Sequence, residues 1–339
     1  MYLGLCMSLP VIVCDDSKFA RAQLIRALPA NLKVDLKEAS DGMEALELIK
    51  SGYGELMFLD LNMPNMDGYQ VLEEIKKNQY DVLVIVITGD IQSSAEKRIM
   101  SLGALSYLKK PLDINLLLQV LDKYGLAEIV EEQGDPSRNA NVMGNWDNGI
   151  TYMDKLQEVI NIATGQAAKQ LADLLNIFIT LPIPKVSHLT GKEIYSCLKG
   201  LVMDPDDILI SSGFVGSDMN GEILISFSGE CINNLLTLVV GDPNSGTNRK
   251  AAVIDISNLL LSTLMNGVGE FLGAQFTRSH PSVVRLNDSI QLLSPQLADK
   301  KILNVKMIYS IPKRDIECVL YLLFTEDAMP SLTERLSYI

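Results

Sequence analysis

Two short stretches, "ELMFLD" at 55–60 and "VLVIVIT" at 82–88, constrain the fold most. Both are apolar without interruption rather than at every second position, so a strand built from either must be buried on both faces. A parallel sheet covered by helices on each side meets that demand. Three further runs, "PVIVCD" (10–15), "KVDLKEA" (33–39) and "SYLKK" (106–110), read as strands of the same sheet, with amphipathic helical patterns between them. The region from about residue 10 to 124 is therefore expected to be an α/β, doubly wound domain with a five-stranded parallel sheet.

Beyond it, "GLAEIVEEQGDPSRNANVMGNWDNG" (125–149) loses periodicity and gathers Gly, Asn, Asp and Pro, as a linker does. The 339 residues then divide into a first domain at 7–125, a linker at 126–149 and a second domain at 150–339. The second domain alternates differently. A long helix near 151–172 leads into "NIFITLPIPKV", and another near 248–272 leads into "AQFTRSHPSVV", each expected to open a strand pair. One interval separates Asn161 from Pro184 and Asn258 from Pro281, and an acid stands three residues before each asparagine, Glu158 and Asp255. Two copies of one helix-then-strand unit imply a pseudo-symmetric α+β domain made by duplication.

Bulk composition excludes several classes of function. The net charge of −13 opposes a nucleic-acid surface, which is built from clustered Lys and Arg. No apolar run approaches the roughly 20 residues of a membrane helix, so no membrane insertion is expected. The start, "MYLGLCMSLP", has no basic region and no small-residue cleavage site, so no secretory signal is expected, and Met7 is a candidate initiator. Five scattered cysteines without a CxxC pair fit reduced thiols in the cytoplasm. The two histidines, His188 and His280, lie in no metal-binding or catalytic spacing.

In an open parallel sheet, function collects where loops leave the carboxyl ends of the strands. Asp15 and Asp16 follow the first strand, Asp60 ends the third, Thr88 ends the fourth, and Lys110 follows the fifth. Three converging carboxylates need a cation, and hard oxygen ligands suit Mg²⁺. A carboxylate beside it can attack a phosphoryl group, while Thr88 and Lys110 hold the equatorial oxygens. Lys109 reads as a solvated neighbour, and Gly89 as a residue that keeps the pocket mouth open.

"VCDDS", "FLDLNMPNMDG", "VITGD" and "YLKKPLD" resemble the motifs of CheY-like response-regulator receiver domains, in the family's order. The resemblance implies a flavodoxin-like fold, Asp60 as phosphoacceptor, and Mg²⁺ held by Asp15, Asp16, Asp60 and the backbone carbonyl of Asn62. It also implies Tyr107 as the switch residue and a histidine kinase as partner.

The second domain carries Asp154, Glu158 and Asn161 at i, i+4 and i+7, a polar stripe on a helix whose Leu156, Ile160 and Ala163 point inward. With Pro184 this resembles the signature of CheC-type phosphatases, which include CheC, CheX and part of FliY. The resemblance implies that Asn161 positions a water, and that Glu158 pairs with the active-site lysine of a phosphorylated CheY-like receiver. Asp255 and Asn258 form a candidate second site, where Ala251 replaces the leading Asp or Ser and Asp255 is a methylene shorter than glutamate. Three arrangements stay open: hydrolysis on a separate receiver, hydrolysis of the chain's own Asp60 phosphate in one chain or a homodimer, and a non-catalytic module like the flagellar switch proteins.

Overall fold

The computed structural model describes residues 8–29, 32–126, 149–240, 249–284 and 299–339. Met7 and all but the end residues of the expected linker 126–149 lie outside the described residues. The chain forms two compact units, Met1–Asp154 and Lys155–Ile339, the division falling in the first turn of a helix.

In the first unit strands and helices alternate: β1 (Leu9–Cys14), α1 (Lys18–Ala27), β2 (Val34–Ala39), α2 (Gly42–Lys50), β3 (Leu56–Leu59), α3 (Gly68–Asn78), β4 (Leu83–Thr88), α4 (Ser93–Ser101), β5 (Ser106–Lys109) and α5 (Ile114–Lys123). All four strand pairings are parallel, in the order β2-β1-β3-β4-β5. The expected doubly wound sheet is present. Val11, Val13, Leu56, Phe58, Ile85 and Ile87 pack against Leu24 of α1, Leu28 just after it, and Leu117 and Leu121 of α5 on one face. The alternate residues Ile12, Met57, Leu59 and Val86 are also buried, so both faces are covered.

Side chains fix where the helices begin. Asp41 accepts from the Met43 and Glu44 N–H groups, Asp113 caps α5, and Asp67 with Gln70 forms a capping box on α3. Gly68 opens α3 directly beneath the end of β3. A Cβ there would collide with the carbonyl oxygen of Asp60 and come within 2.8 Å of Leu61 Cα. This close approach holds the Asp60 backbone against the helix start.

The second unit contains α6 (Tyr152–Leu175), β6 (Lys185–Thr190), α7 (Gly191–Leu201), β7 (Ile208–Gly216), β8 (Met219–Phe227) and α8 (Gly229–Val240). There follow α9 (Arg249–Leu272), β9 (Thr277–Arg278), β10 (Ser282–Val284), β11 (Lys301–Ile311), β12 (Ile316–Phe324) and α10 (Met329–Ser337). Helices α6 and α9 are each 24 residues long. The offset that carries Tyr152 to Arg249 also carries Met219 to Ile316 and Phe227 to Phe324. The duplication read from the sequence is thus a repeat of whole elements.

The repeats are interleaved. The sheet runs β10-β7-β8-β12-β11-β6, with β9 paired to β7. β8 and β12 meet antiparallel at the centre, while β6 of the first repeat pairs with β11 of the second and β10 pairs with β7 of the first. The strand expected in "NIFITLPIPKV" begins only at Lys185. Before it there is a single bridge, Thr180 to Ser310, because Pro182 and Pro184 have no N–H to donate to a ladder.

Among the described residues one helix, α9, is long and apolar enough by length and composition to cross a membrane. This qualifies the reading that no apolar run approaches such a length. Its Val253, Leu260, Leu264, Val268 and Leu272 are buried within the protein, as in a core helix.

Gly68→Ala is expected to lower the unfolding free energy of the first unit by about 1–3 kcal/mol, the usual cost of overpacking. Urea denaturation would measure it; an unchanged midpoint would contradict the close approach to Asp60.

Candidate functional site

The order β2-β1-β3 places a topological switch between β1 and β3, and their carboxyl ends carry the acids. Carboxylate oxygens of Asp15, Asp16 and Asp60 all lie within 4.8 Å of one another. Asp15 and Asp60 are buried and Asp16 half-buried. Lys110 reaches in from beyond β5, its Nζ donating to Asp15 Oδ2 at 2.8 Å and lying 3.6 Å from Asp60 Oδ1. Thus one ammonium lies beside two of the three carboxylates. Removing it would leave buried charge without its counter-ion, at a cost of roughly 3–5 kcal/mol.

The backbone is fixed around these groups. The Ser17 N–H donates to Asp15 Oδ1 at 2.8 Å, and the Asn62 N–H to Asp60 Oδ2 at 3.2 Å. Arg21, which the sequence analysis did not single out, donates from Nη1 to the Asp15 carbonyl at 2.5 Å and pairs with Glu38 at 2.6 Å. The acidic field registers on a neighbour: burial first, then Asp15, Asp60 and Asp41, push the Cys14 thiol well above its ordinary pKa.

Thr88 is fully buried, and its Oγ1 accepts from the Asp90 N–H at 3.0 Å. Asp90 in turn accepts from the Gln92 N–H, and its buried carboxyl has a pKa raised by desolvation. Tyr107 is half-buried, its pKa raised by burial and then by a hydrogen bond to Glu96. Lys109 is exposed, as expected. Gly89 is buried rather than at an open mouth.

Three hard oxygen donors within 4.8 Å of one another suit a divalent cation, so the residues present fit Mg²⁺. Calorimetric titration with Mg²⁺ is expected to show saturable binding that Asp16→Asn weakens about tenfold or more. Equal affinities would remove Asp16 from the site.

The second unit arranges its candidate residues differently. On α6 the polar stripe is broken. Asp154 turns back to the helix start, where its Oδ2 accepts from the Thr151 N–H at 2.6 Å and from Thr151 Oγ1 at 2.7 Å. The Asp154 N–H donates to Thr151 Oγ1 at 3.3 Å, completing a reciprocal cap. Glu158 and Asn161 are buried, 3 % and 5 % exposed, where the sequence analysis expected side chains projecting toward a partner. On α9 the counterparts Asp255 and Asn258 are exposed. Pro184 and Pro281 are both buried just before β6 and β10.

Sequence reasoning missed Arg278 on β9, whose Nη2 donates to Asn258 Oδ1 at 3.0 Å. The repeat alignment could have found it, since Leu181 stands at the equivalent place in the first copy.

Residues 11–122 match the response regulator receiver domain family. The amino-terminal unit is a receiver domain of the two-component type. The chain is similar to response regulator MprA of Mycobacterium ulcerans, 36% identical over 115 residues, which cover 33% of this chain and 48% of that protein. It is also similar to sensor histidine kinase RcsC of Escherichia coli K12, 31% identical over 125 residues, 37% of this chain and 13% of that one. The chain thus spans less than half the length of either relative. The crystal structure of Thermotoga maritima FliY aligns at a TM-score of 0.42 and 18% identity, covering 56% of this chain and 98% of that one.

Asp154→Ala is expected to lower stability by about 1 kcal/mol, the typical worth of a helix cap. Thermal unfolding of the full chain would measure it, and no change would show the cap to be idle.

Proposed function

We propose that the chain is a response regulator whose second unit hydrolyses the aspartyl phosphate of a CheY-like receiver, under control of its own Asp60, in a signalling system of the chemotaxis kind. The observation that carries this is internal: two 24-residue helices of one pseudo-symmetric unit bear an acid and an asparagine at equivalent places, each followed by a buried proline, in a chain that also holds a receiver.

In this reading Asp60 takes a phosphoryl group from a histidine kinase, since receiver domains interact with such kinases. A carboxylate oxygen of Asp60 bonds to phosphorus as the bond to the kinase's histidine nitrogen breaks. Lys110 and Thr88 donate to the phosphoryl oxygens. Asp15, Asp16, Asp60 and the Asn62 carbonyl would hold Mg²⁺, which when bound would neutralise charge on those oxygens. Tyr107 would report the change to a partner.

Hydrolysis on a partner receiver requires a water in line with the aspartyl oxygen. A carboxamide suits the task because it donates and accepts without titrating. Water's oxygen bonds to phosphorus, the bond to the aspartyl oxygen breaks, and inorganic phosphate leaves with the carboxylate restored. Glu158, or Asp255 in the second copy, would pair with the partner's active-site lysine and set the register of docking. Asp255 and Asn258 are exposed, whereas Glu158 and Asn161 are buried. The burial of that first pair favours a second reading, a binding module without hydrolysis. Either reading implies a cytoplasmic protein.

The test follows phosphate release from a separately purified, phosphorylated CheY-like receiver in the presence of the full chain. We expect acceleration of roughly 100-fold, the scale of a positioned water, abolished by Glu158→Ala/Asn161→Ala with Asp255→Ala/Asn258→Ala. Complex formation without acceleration would replace hydrolysis by the binding reading.

A further inference from the structure

The two candidate sites of the second unit are related by the repeat, yet their surroundings differ in kind. Where the first copy has Leu181 and Gly165, the second has Arg278 and Ser262. Arg278 spans from sheet to helix. Its Nη1 donates to Ser212 Oγ of β7 at 3.2 Å, and its Nη2 lies 2.6 Å from Ser262 Oγ and 3.0 Å from Asn258 Oδ1 on α9.

The segment that carries Arg278 is clamped to β7. Phe214 and Val215 pair with Arg278 and Thr277. The Ser279 N–H donates to the Gly213 carbonyl at 2.8 Å, the Gly213 N–H to Ser279 Oγ at 2.9 Å, and Ser212 Oγ to the Ser279 carbonyl at 2.7 Å. Gly216 allows the approach, because a Cβ there would collide with the Gln275 carbonyl. The guanidinium is therefore delivered from a fixed backbone.

That contact decides how Asn258 is turned. A carboxamide presents an acceptor at one end and donors at the other. Arginine donates only, so the end that meets Nη2 must be the oxygen. The NH₂ then points away from Arg278, and Oδ1 keeps one lone pair for a second donor. A tethered carboxamide loses less rotational freedom when it engages a substrate. At the first site the equivalent Leu181 can make no such bond.

We propose that Arg278 is a positioning residue of the second site, holding the Asn258 carboxamide in one orientation so that this exposed copy acts on a partner's phosphoryl group despite its shorter acid, Asp255. The proposal rests on the phosphatase reading above. It also assigns the second copy the working role that its shorter acid left open.

The test uses the full chain with Glu158→Ala/Asn161→Ala, so that phosphate release from a separately purified, phosphorylated CheY-like receiver reports the second site. Arg278→Leu, which installs the residue of the first copy, is expected to lower kcat about tenfold with KM little changed, and Arg278→Lys to restore part of it. Arg278→Leu should cost nothing further once Asn258→Ala is present, the signature of a residue acting only through Asn258. A structural strut would instead add its loss to that of Asn258→Ala, overturning the proposal. Turnover unaffected by Arg278→Leu would overturn it too, as would a Glu158→Ala/Asn161→Ala chain with no activity while the unaltered chain is active. Absence of acceleration by the unaltered chain removes the phosphatase reading itself and this one with it.

Discussion

Three carboxylates brought within 4.8 Å of one another at the carboxyl ends of β1 and β3 are the constraint around which the first unit is organised. Like charges so close oppose folding, and the surrounding structure answers the two buried ones, Asp15 and Asp60. Lys110 comes from the far side of the sheet to bond Asp15, Arg21 holds the Asp15 carbonyl, and backbone N–H groups of Ser17 and Asn62 face the carboxylates. The parallel sheet supplies the rigidity that keeps them converged, because β1 and β3 are neighbours buried on both faces. The pocket thereby gathers oxygen ligands that fit a divalent cation.

The second unit is one sequence pattern present twice, with different surroundings in each copy. Its repeats agree in helix length, strand position and the placement of asparagine and proline. They differ in what surrounds those groups. In the first copy the acid at the head of the stripe serves as a helix cap, and Glu158 and Asn161 are buried. In the second there is no leading acid, but the asparagine is exposed and braced by Arg278. Duplication supplied the frame, and individual side chains then gave each copy a separate character.

Much of this was legible in the sequence, for identifiable physical reasons. "VLVIVIT" announced a strand buried on both faces, and the acids that follow β1 and β3 had to converge once the sheet was parallel. The equal spacing of Asn161 to Pro184 and Asn258 to Pro281 revealed the repeat. What stayed hidden depends on contacts between distant residues. Arg278 meets Asn258 only because β9 is clamped to β7, and the orientation of Asp154 is decided by whether Thr151 offers a better partner than solvent. Helical periodicity gives a direction around the axis, not whether that direction ends in water or protein. Hence the stripe on α6 reads as a face although Glu158 and Asn161 on it are buried, and "NIFITLPIPKV" reads as a strand although its prolines postpone pairing to Lys185.

The exchange of β6 and β10 between repeats bears on how such a unit can exist at all. Each repeat contributes an outer strand to the other's half of the sheet, and the halves join along β8 and β12. A single repeat expressed alone would have its central edge bare and its outer strand without a partner. Two identical copies could supply each other's missing pieces. Each repeat therefore depends on the other for a complete sheet, and the two halves stand or fall together.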